Sequence, residues 1–210
     1  MKQFTTIKEN GWHWPTTGQR TWDIVSASLG LHTVIAPYLK QTNVVVQAGG
    51  NGGLMVQPFA EKFKDVYTFE PDPLNFYCLT LNVTGTNVHK FQACLGNERA
   101  MVSLNTLYTD DNGAFFVEGK GSVPILRIDD LGLTDCDLIQ LDIEGFEYQA
   151  LLGGLDTIKK YKPVISVEFC EPWAKRYELT QTMLDDLLIT QLGYTRVNAY
   201  ELDIVYAHIS

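Results

Sequence analysis

The sequence predicts a doubly wound, mostly parallel α/β sheet that ends in an antiparallel hairpin. Three observations predict it. Short β-branched or apolar runs recur near 44–48, 66–69, 88–95, 138–143 and 163–169, each the length of a buried strand. Helix-spaced apolar residues fall between several of them, so the strands lie parallel and are joined by right-handed crossovers. The last two extended runs, 194–197 and 204–209, follow each other closely and pair as a hairpin. Composition agrees with this class. The chain has 210 residues, of which 45% are hydrophobic and 20% charged. That is one globular domain with a core large enough to need no disulfide or metal staple.

Residues 1–20 show no clear period, and Trp12, Trp14 and Pro15 sit among polar neighbours. From 22 to 39 the residues Trp22, Val25, Leu29, Val34, Ile35, Tyr38 and Leu39 suit a helical face, interrupted at Gly30 and Pro37. Residues 1–42 are therefore read as an arm and helix packed on a domain of residues 43–210. The run Val44-Val45-Val46-Gln47-Ala48 is a buried strand that enters a tight glycine loop, and 54–63 resumes helical spacing despite Pro58. Residues 66–69 form the second strand. Glu70-Pro71-Asp72-Pro73 stops it and opens a helix over 74–81, with Asp72 at the N-cap and Pro73 at the first helical position.

A third strand spans 88–95. Residues 97–122 are glycine-rich and carry two short apolar pieces, 101–104 and 114–117, which read as a hairpin insertion, with a further extended piece at 123–128. The strong strand 138–143 leads to a helix over 146–152 that stops at Gly153-Gly154. Another strand covers 163–169, and a helix over 179–192 ends at Gly193.

The net charge is −9, from 25 acidic and 16 basic residues, and no basic block occurs. That balance argues against a nucleic-acid partner, whose phosphates need clustered Lys and Arg; Lys159, Lys160 and Lys162 make at most a small patch. Cys78, Cys94, Cys136 and Cys170 form no C-x-x-C pair and read as reduced, structural thiols. The first ten residues lack a signal-peptide apolar core, and no apolar run approaches a membrane span. A cytoplasmic protein without membrane contact is expected. The four histidines are scattered without metal spacing; His13, between two tryptophans, is the one singled out.

Open α/β sheets bind ligands beyond the carboxyl ends of their strands, and the chain gathers four features there. Gly49-Gly50-Asn51-Gly52-Gly53 follows the first strand, but Met55 breaks the dinucleotide fingerprint and no phosphate-loop lysine is present. Glu70 lies 21 residues past Gly49, where a carboxylate accepts from the two hydroxyls of an adenosine ribose. A glycine loop without a phosphate motif, together with a ribose acid, fits S-adenosylmethionine. Asp142-Ile143-Glu144-Gly145-Phe146-Glu147 puts three acids at the tip of a buried strand. A helix start accounts for Glu144 and Glu147 but poorly for Asp142. Glu168 ends the next strand and can face Asp142, so that the two carboxylates share a proton or hold a divalent ion.

These segments, with Arg127-Ile128-Asp129-Asp130-Leu131 and Lys162-Pro163-Val164-Ile165-Ser166-Val167-Glu168, resemble the FkbM-type S-adenosylmethionine-dependent methyltransferases over about residues 43–170. The resemblance implies the class I methyltransferase fold, a seven-stranded Rossmann-like sheet. It implies a cofactor site of Gln47, Gly49, Asn51, Gly53, Glu70, Cys94, Leu95 and Asp142. The glycine loop would meet the methionine end, Glu70 the ribose, and Cys94 and Leu95 the adenine. Gln47 departs from the acid usual in this class. Asp142 and Glu168 are the candidate catalytic residues, and no metal ligand is predicted. The family's implied reaction is O-methylation of a sugar or related small molecule. A cofactor-binding module without catalysis, or a nucleic-acid methyltransferase, are the alternatives. Residues 1–42 and 97–122 lie outside the specific motifs and are where acceptor choice is expected.

Overall fold

A computed structural model describes residues 5–16, 26–106 and 113–209. Its centre is a seven-stranded sheet built from β3 (Val44–Ala48), β4 (Asp65–Phe69), β5 (Val88–Phe91), β9 (Leu138–Leu141), β10 (Val164–Glu168), β11 (Thr195–Tyr200) and β12 (Asp203–Ala207). The spatial order is β11-β12-β10-β9-β3-β4-β5. All neighbours from β5 to β10 pair parallel, while β12 pairs antiparallel with both β10 and β11. The strand order reverses at β3, which places a ligand crevice between the tips of β3 and β9.

Alternation along the strands divides the core into two layers. Val46, Ile139 and Ile165 face one way, toward Ala150, Leu151 and Ile158 on α4 (Glu147–Leu152) and α5 (Leu155–Tyr161). Val45, Val66, Leu138 and Val164 face the other way. They meet Leu31 and Ile35 of α1 (Leu31–Ile35), Phe59 of α2 (Gln57–Lys62) and Leu79 of α3 (Pro73–Asn82). Both faces are covered, so β3 is buried at all five residues. The α3 start is as the sequence predicts: the Asp72 side chain accepts from Leu74 N and Asn75 N, with Pro73 first in the helix.

Several elements differ from expectation. Residues 6–15 form a hairpin, β1 (Thr6–Glu9) and β2 (Trp12–Pro15), turning at Asn10-Gly11 with φ of 50° and 87°. The helix expected over 22–39 is short: α1 passes into a 3₁₀ turn at Ala36–Tyr38, and Trp22 and Val25 lie outside the described residues. The expected third strand divides, because only Val88–Phe91 stays in the main sheet. Cys94–Leu95 (β6) joins β7 (Ala100–Thr106) and β8 (Phe115–Leu126) in a separate three-stranded sheet. The expected hairpin and the extended piece after it are thus one long pair, β7–β8, with a bulge where Val102 faces both Val123 and Lys120. The helix expected over 146–152 does stop at Gly153-Gly154: α4 ends at Leu152 with Gly153 at its C-cap, and α5 begins directly after Gly154. The expected helix over 179–192 is α7 (Gln181–Asp185) followed by a π-helical stretch, Asp186–Gln191; α6 (Glu171–Ala174) precedes it. Cys78, Cys94, Cys136 and Cys170 are free thiols, the first three buried. No helix among the described residues is long and apolar enough to cross a membrane.

Candidate active site

The crevice is assembled by backbone bonds between strand tips. Gly49 N and Gly50 N both donate to Phe69 O, at 3.0 and 2.9 Å, and Asp142 N donates to Ala48 O at 3.1 Å. Gly49 has φ +89°, and a Cβ there would collide with the Asp142 carbonyl; only glycine closes this seam. The loop then turns through Asn51, whose N–H donates to Glu70 Oε2 at 2.7 Å. Glu70 Oε1 accepts from Asp72 N at 2.8 Å. Both oxygens of this buried carboxylate are therefore fixed by main-chain donors, the Asn75 side chain is a third donor, and one acceptor site remains for a ligand. Burial pushes Glu70 up to about 8, against the pull of those two N–H groups.

Gly49, Glu70, Cys94, Leu95 and Asp142 line one cleft, as expected from sequence, together with Phe69, Ala93, Asn75 and Phe146. The β7–β8 pair adds Leu104, Phe115 and Val117 to the same wall. That pair is clasped from the far side by residues after β10. Tyr177 OH bonds both N and O of Val117 at 2.9 Å, and the Arg176 guanidinium lies 3.5 Å from the Phe116 ring centre. Burial, and secondarily Glu70, push the Cys94 thiol up to about 12, so it stays protonated.

Three expected residues sit elsewhere. Gln47 lies one layer below the rim, 1% exposed, where its Oε1 accepts from Thr68 Oγ1. It belongs to a buried polar row across the sheet, Thr68, Gln47, Gln140 and Ser166, which register pairing puts side by side. Gln47 Nε2 and Gln140 Oε1 have no hydrogen-bond partner among the described residues. The Asn51 side chain bonds Gly52 N within the loop. Gly53 packs against α3, where a Cβ would press on Val83 and Leu79.

Above that row the acids converge. The Glu168 carboxyl acts directly on the Asp142 carboxyl and favours its ionised form, as their places at adjacent strand tips predict. Asp142, Glu144, Glu147 and Asp203 all raise the Glu168 carboxyl, Asp142 most, with burial adding to the shift. Burial also raises Asp142. Two carboxyls this close cannot both ionise cheaply, so Glu168 keeps the shared proton and Asp142 is its ionised partner. Asp203, directly opposite Glu168 in the β10–β12 register, is buried and raised to about 8 by burial and by Asp142.

Glu147 is a local brace: its Oε1 accepts from Ile143 N at 2.9 Å and Gly145 N at 3.2 Å, and burial raises it to about 7. It holds a loop in which Glu144 has φ +58° and Gly145 φ +98°. Among the described residues no group of three or more His, Cys, Asp or Glu is arranged to hold a metal ion. Asp203 was not singled out from sequence; an acid opening an otherwise apolar strand was its only signal.

The family model of the methyltransferase FkbM domain matches residues 47–196. This chain belongs to the FkbM methyltransferase family. Solved structures agree at the level of fold. A methyltransferase FkbM from Methylobacillus flagellatus is 18% identical with a TM-score of 0.54, over 80% of this chain and 44% of that one. This FkbM chain thus spans less than half of that relative. Magnesium protoporphyrin IX methyltransferase from Synechocystis, solved with bound S-adenosylmethionine, is 11% identical at a TM-score of 0.52, over 89% and 79% of the two chains. An rRNA methylase from Streptococcus thermophilus is 13% identical at 0.50, over 86% and 95%, so this fold does not itself exclude a nucleic-acid acceptor. No curated protein matches the sequence.

Proposed function

We propose that the chain is an S-adenosylmethionine-dependent O-methyltransferase acting on a hydroxyl of a sugar or related small molecule. The observation that carries this reading is the pairing, across one cleft, of Glu70 with Asp142. Glu70 is fixed by two backbone donors and the Asn75 side chain with an acceptor site to spare, and Asp142 is backed by a second carboxyl. The lining fits the cofactor's chemistry. Glu70 offers an acceptor to a diol, Phe69, Ala93 and Leu95 offer an apolar wall for a base, and Gly49 leaves main chain open to an amino-acid end. No phosphate-binding lysine is needed for such a group.

When bound, the cofactor supplies a methyl group on a sulfonium, already activated toward a nucleophile. The chain's share is alignment and proton removal. Asp142 takes the acceptor hydroxyl's proton; burial, which raises its carboxyl, makes it a better base. Glu168, holding a proton among four neighbouring acids, donates to Asp142 and fixes its orientation. Leu104, Phe115 and Val117 of β7 and β8 give the cleft an apolar wall that disfavours water beside the reacting groups. The net charge of −9 favours a neutral polyol over a polyanion as acceptor.

The test is calorimetric titration with S-adenosylhomocysteine, followed by transfer of labelled methyl to sugars, small phenols and RNA. Binding in the micromolar range and transfer to a sugar hydroxyl are expected. Absence of binding overturns the cofactor reading, binding without transfer to any acceptor leaves the binding-module alternative standing, and transfer to RNA alone moves the acceptor to nucleic acid.

A further inference from the structure

The N-terminal hairpin has no role in the reading above, yet one side chain ties it to the glycine loop. Asn82, the last residue of α3, faces both. Its Oδ1 accepts from His13 N at 2.7 Å, and its Nδ2 donates to His13 O at 2.8 Å and to Gly52 O at 2.7 Å. The amide thus pairs with the β2 backbone in both directions and spends its remaining N–H on the loop. Beside it Trp14, 3% exposed, backs the loop: a Cβ at Gly52 would stand 3.0 Å from the indole ring. The residue before Gly52 is Asn51, whose N–H is the donor that fixes Glu70. The conformation that aims this loop at the cleft is therefore held from outside the cleft, by β2 and α3.

A loop with four glycines in five residues has wide conformational freedom when unsupported. If that freedom were lost on ligand binding, affinity would fall by the cost of ordering, and a loop fixed beforehand avoids this. We infer that the β1–β2 hairpin is part of the cofactor-binding apparatus, with Asn82 the positioning residue that presets Gly52 and its neighbours for the amino-acid end of the cofactor. This rests on the cofactor reading above.

The experiment compares two ligands on the full chain by calorimetry: S-adenosylhomocysteine, and methylthioadenosine, which keeps the adenosine but lacks the amino-acid end. Asn82→Ala is expected to weaken S-adenosylhomocysteine about 10-fold and methylthioadenosine less than twofold. Asn82→Asp keeps the acceptor for His13 N, loses both donations, and is expected to give the same selective loss if the alanine variant folds poorly. Faster hydrogen exchange at Gly52 and Gly53 in the free variant would accompany it. Unchanged affinities, or equal losses for both ligands, overturn the inference while leaving the cofactor reading intact. A parent protein that binds neither ligand overturns both.

Discussion

Glu70 and Glu168 end two parallel strands of one sheet and point to the same face, yet their surroundings are opposite. Glu70 is met by two main-chain N–H groups. Glu168 is met by Asp142, Glu144, Glu147 and Asp203. One carboxyl is held by dipoles, which leaves an acceptor site for a ligand. The other is held by a shared proton, which leaves its partner Asp142 as a base. The same residue type at the same place in the fold takes a different role because of what the neighbouring loop supplies: glycine backbone beside β3 and β4, acids beside β9 and β10.

The largest effect should come from the acid pair. Asp142→Asn is expected to lower the transfer rate by about 100-fold or more while S-adenosylhomocysteine affinity stays within a few-fold, the range for losing a positioned base. Glu168→Gln keeps a donor toward Asp142 and should cost only about 10-fold. Equal losses in single-turnover assays would mean that Glu168 is not the protonated partner, and the contrast with Glu70 would collapse. On the other side, above pH 8, where Glu70 is ionised, Glu70→Ala should weaken S-adenosylhomocysteine by about 1.5–3 kcal/mol, the worth of a charged hydrogen-bond acceptor, with Glu168→Gln near neutral in the same titration.

Stability should show the proton-sharing side directly. Glu70 and Asp203 are raised to about 8, Glu147 to about 7, and Glu168 is raised as well. The unfolded chain releases these protons near its ordinary carboxyl values of about 4, while the folded chain still holds them. Folding therefore binds protons between about pH 5 and 8, and stability falls as pH rises through that window. A loss of at least about 1.4 kcal/mol, one unit's worth for one group, should lower the melting temperature by several degrees between pH 5 and pH 8. Asp203→Asn should flatten the slope. A melting temperature that climbs over this range would show these acids to be ionised in the fold. The smallest effect belongs to Glu70: ribose hydroxyls donating to it favour its ionised form, so S-adenosylhomocysteine should bind a few-fold tighter at pH 8 than at pH 6. Proton release in buffers of differing ionisation heat would report it.

Much of this contrast was legible in the chain. The strand at Val44–Ala48, the capped helix at Pro73–Asn82 and the strand before Asp142 follow from local pattern. Glu70, Asp142 and Glu168 follow because strand tips on one edge must meet. The N-terminal hairpin was hidden because its strands are only four residues long and β1 is largely exposed, although Asn10-Gly11 is a strong hairpin turn signal. The end of α4 at Gly153-Gly154 was legible too, because glycine usually caps a helix; the close approach of Gly153 to the backbone of Gly96 was not. Asp203 and Asn82 were hidden for another reason. Their partners lie 37 and 69 residues away, and no local spacing reports such contacts.

The placement of β12 carries a consequence for how the molecule is made. This strand comes last in the described sheet but inserts between β10 and β11. Until it emerges during synthesis, β10 presents an open edge of buried residues, Val164 to Val167, and β11 has no neighbour. Such an edge invites pairing with another chain. A polypeptide halted after Tyr200 should therefore accumulate as aggregates rather than as a slightly shortened enzyme. It would also lack Asp203, so the acid cluster is finished only when the sheet is.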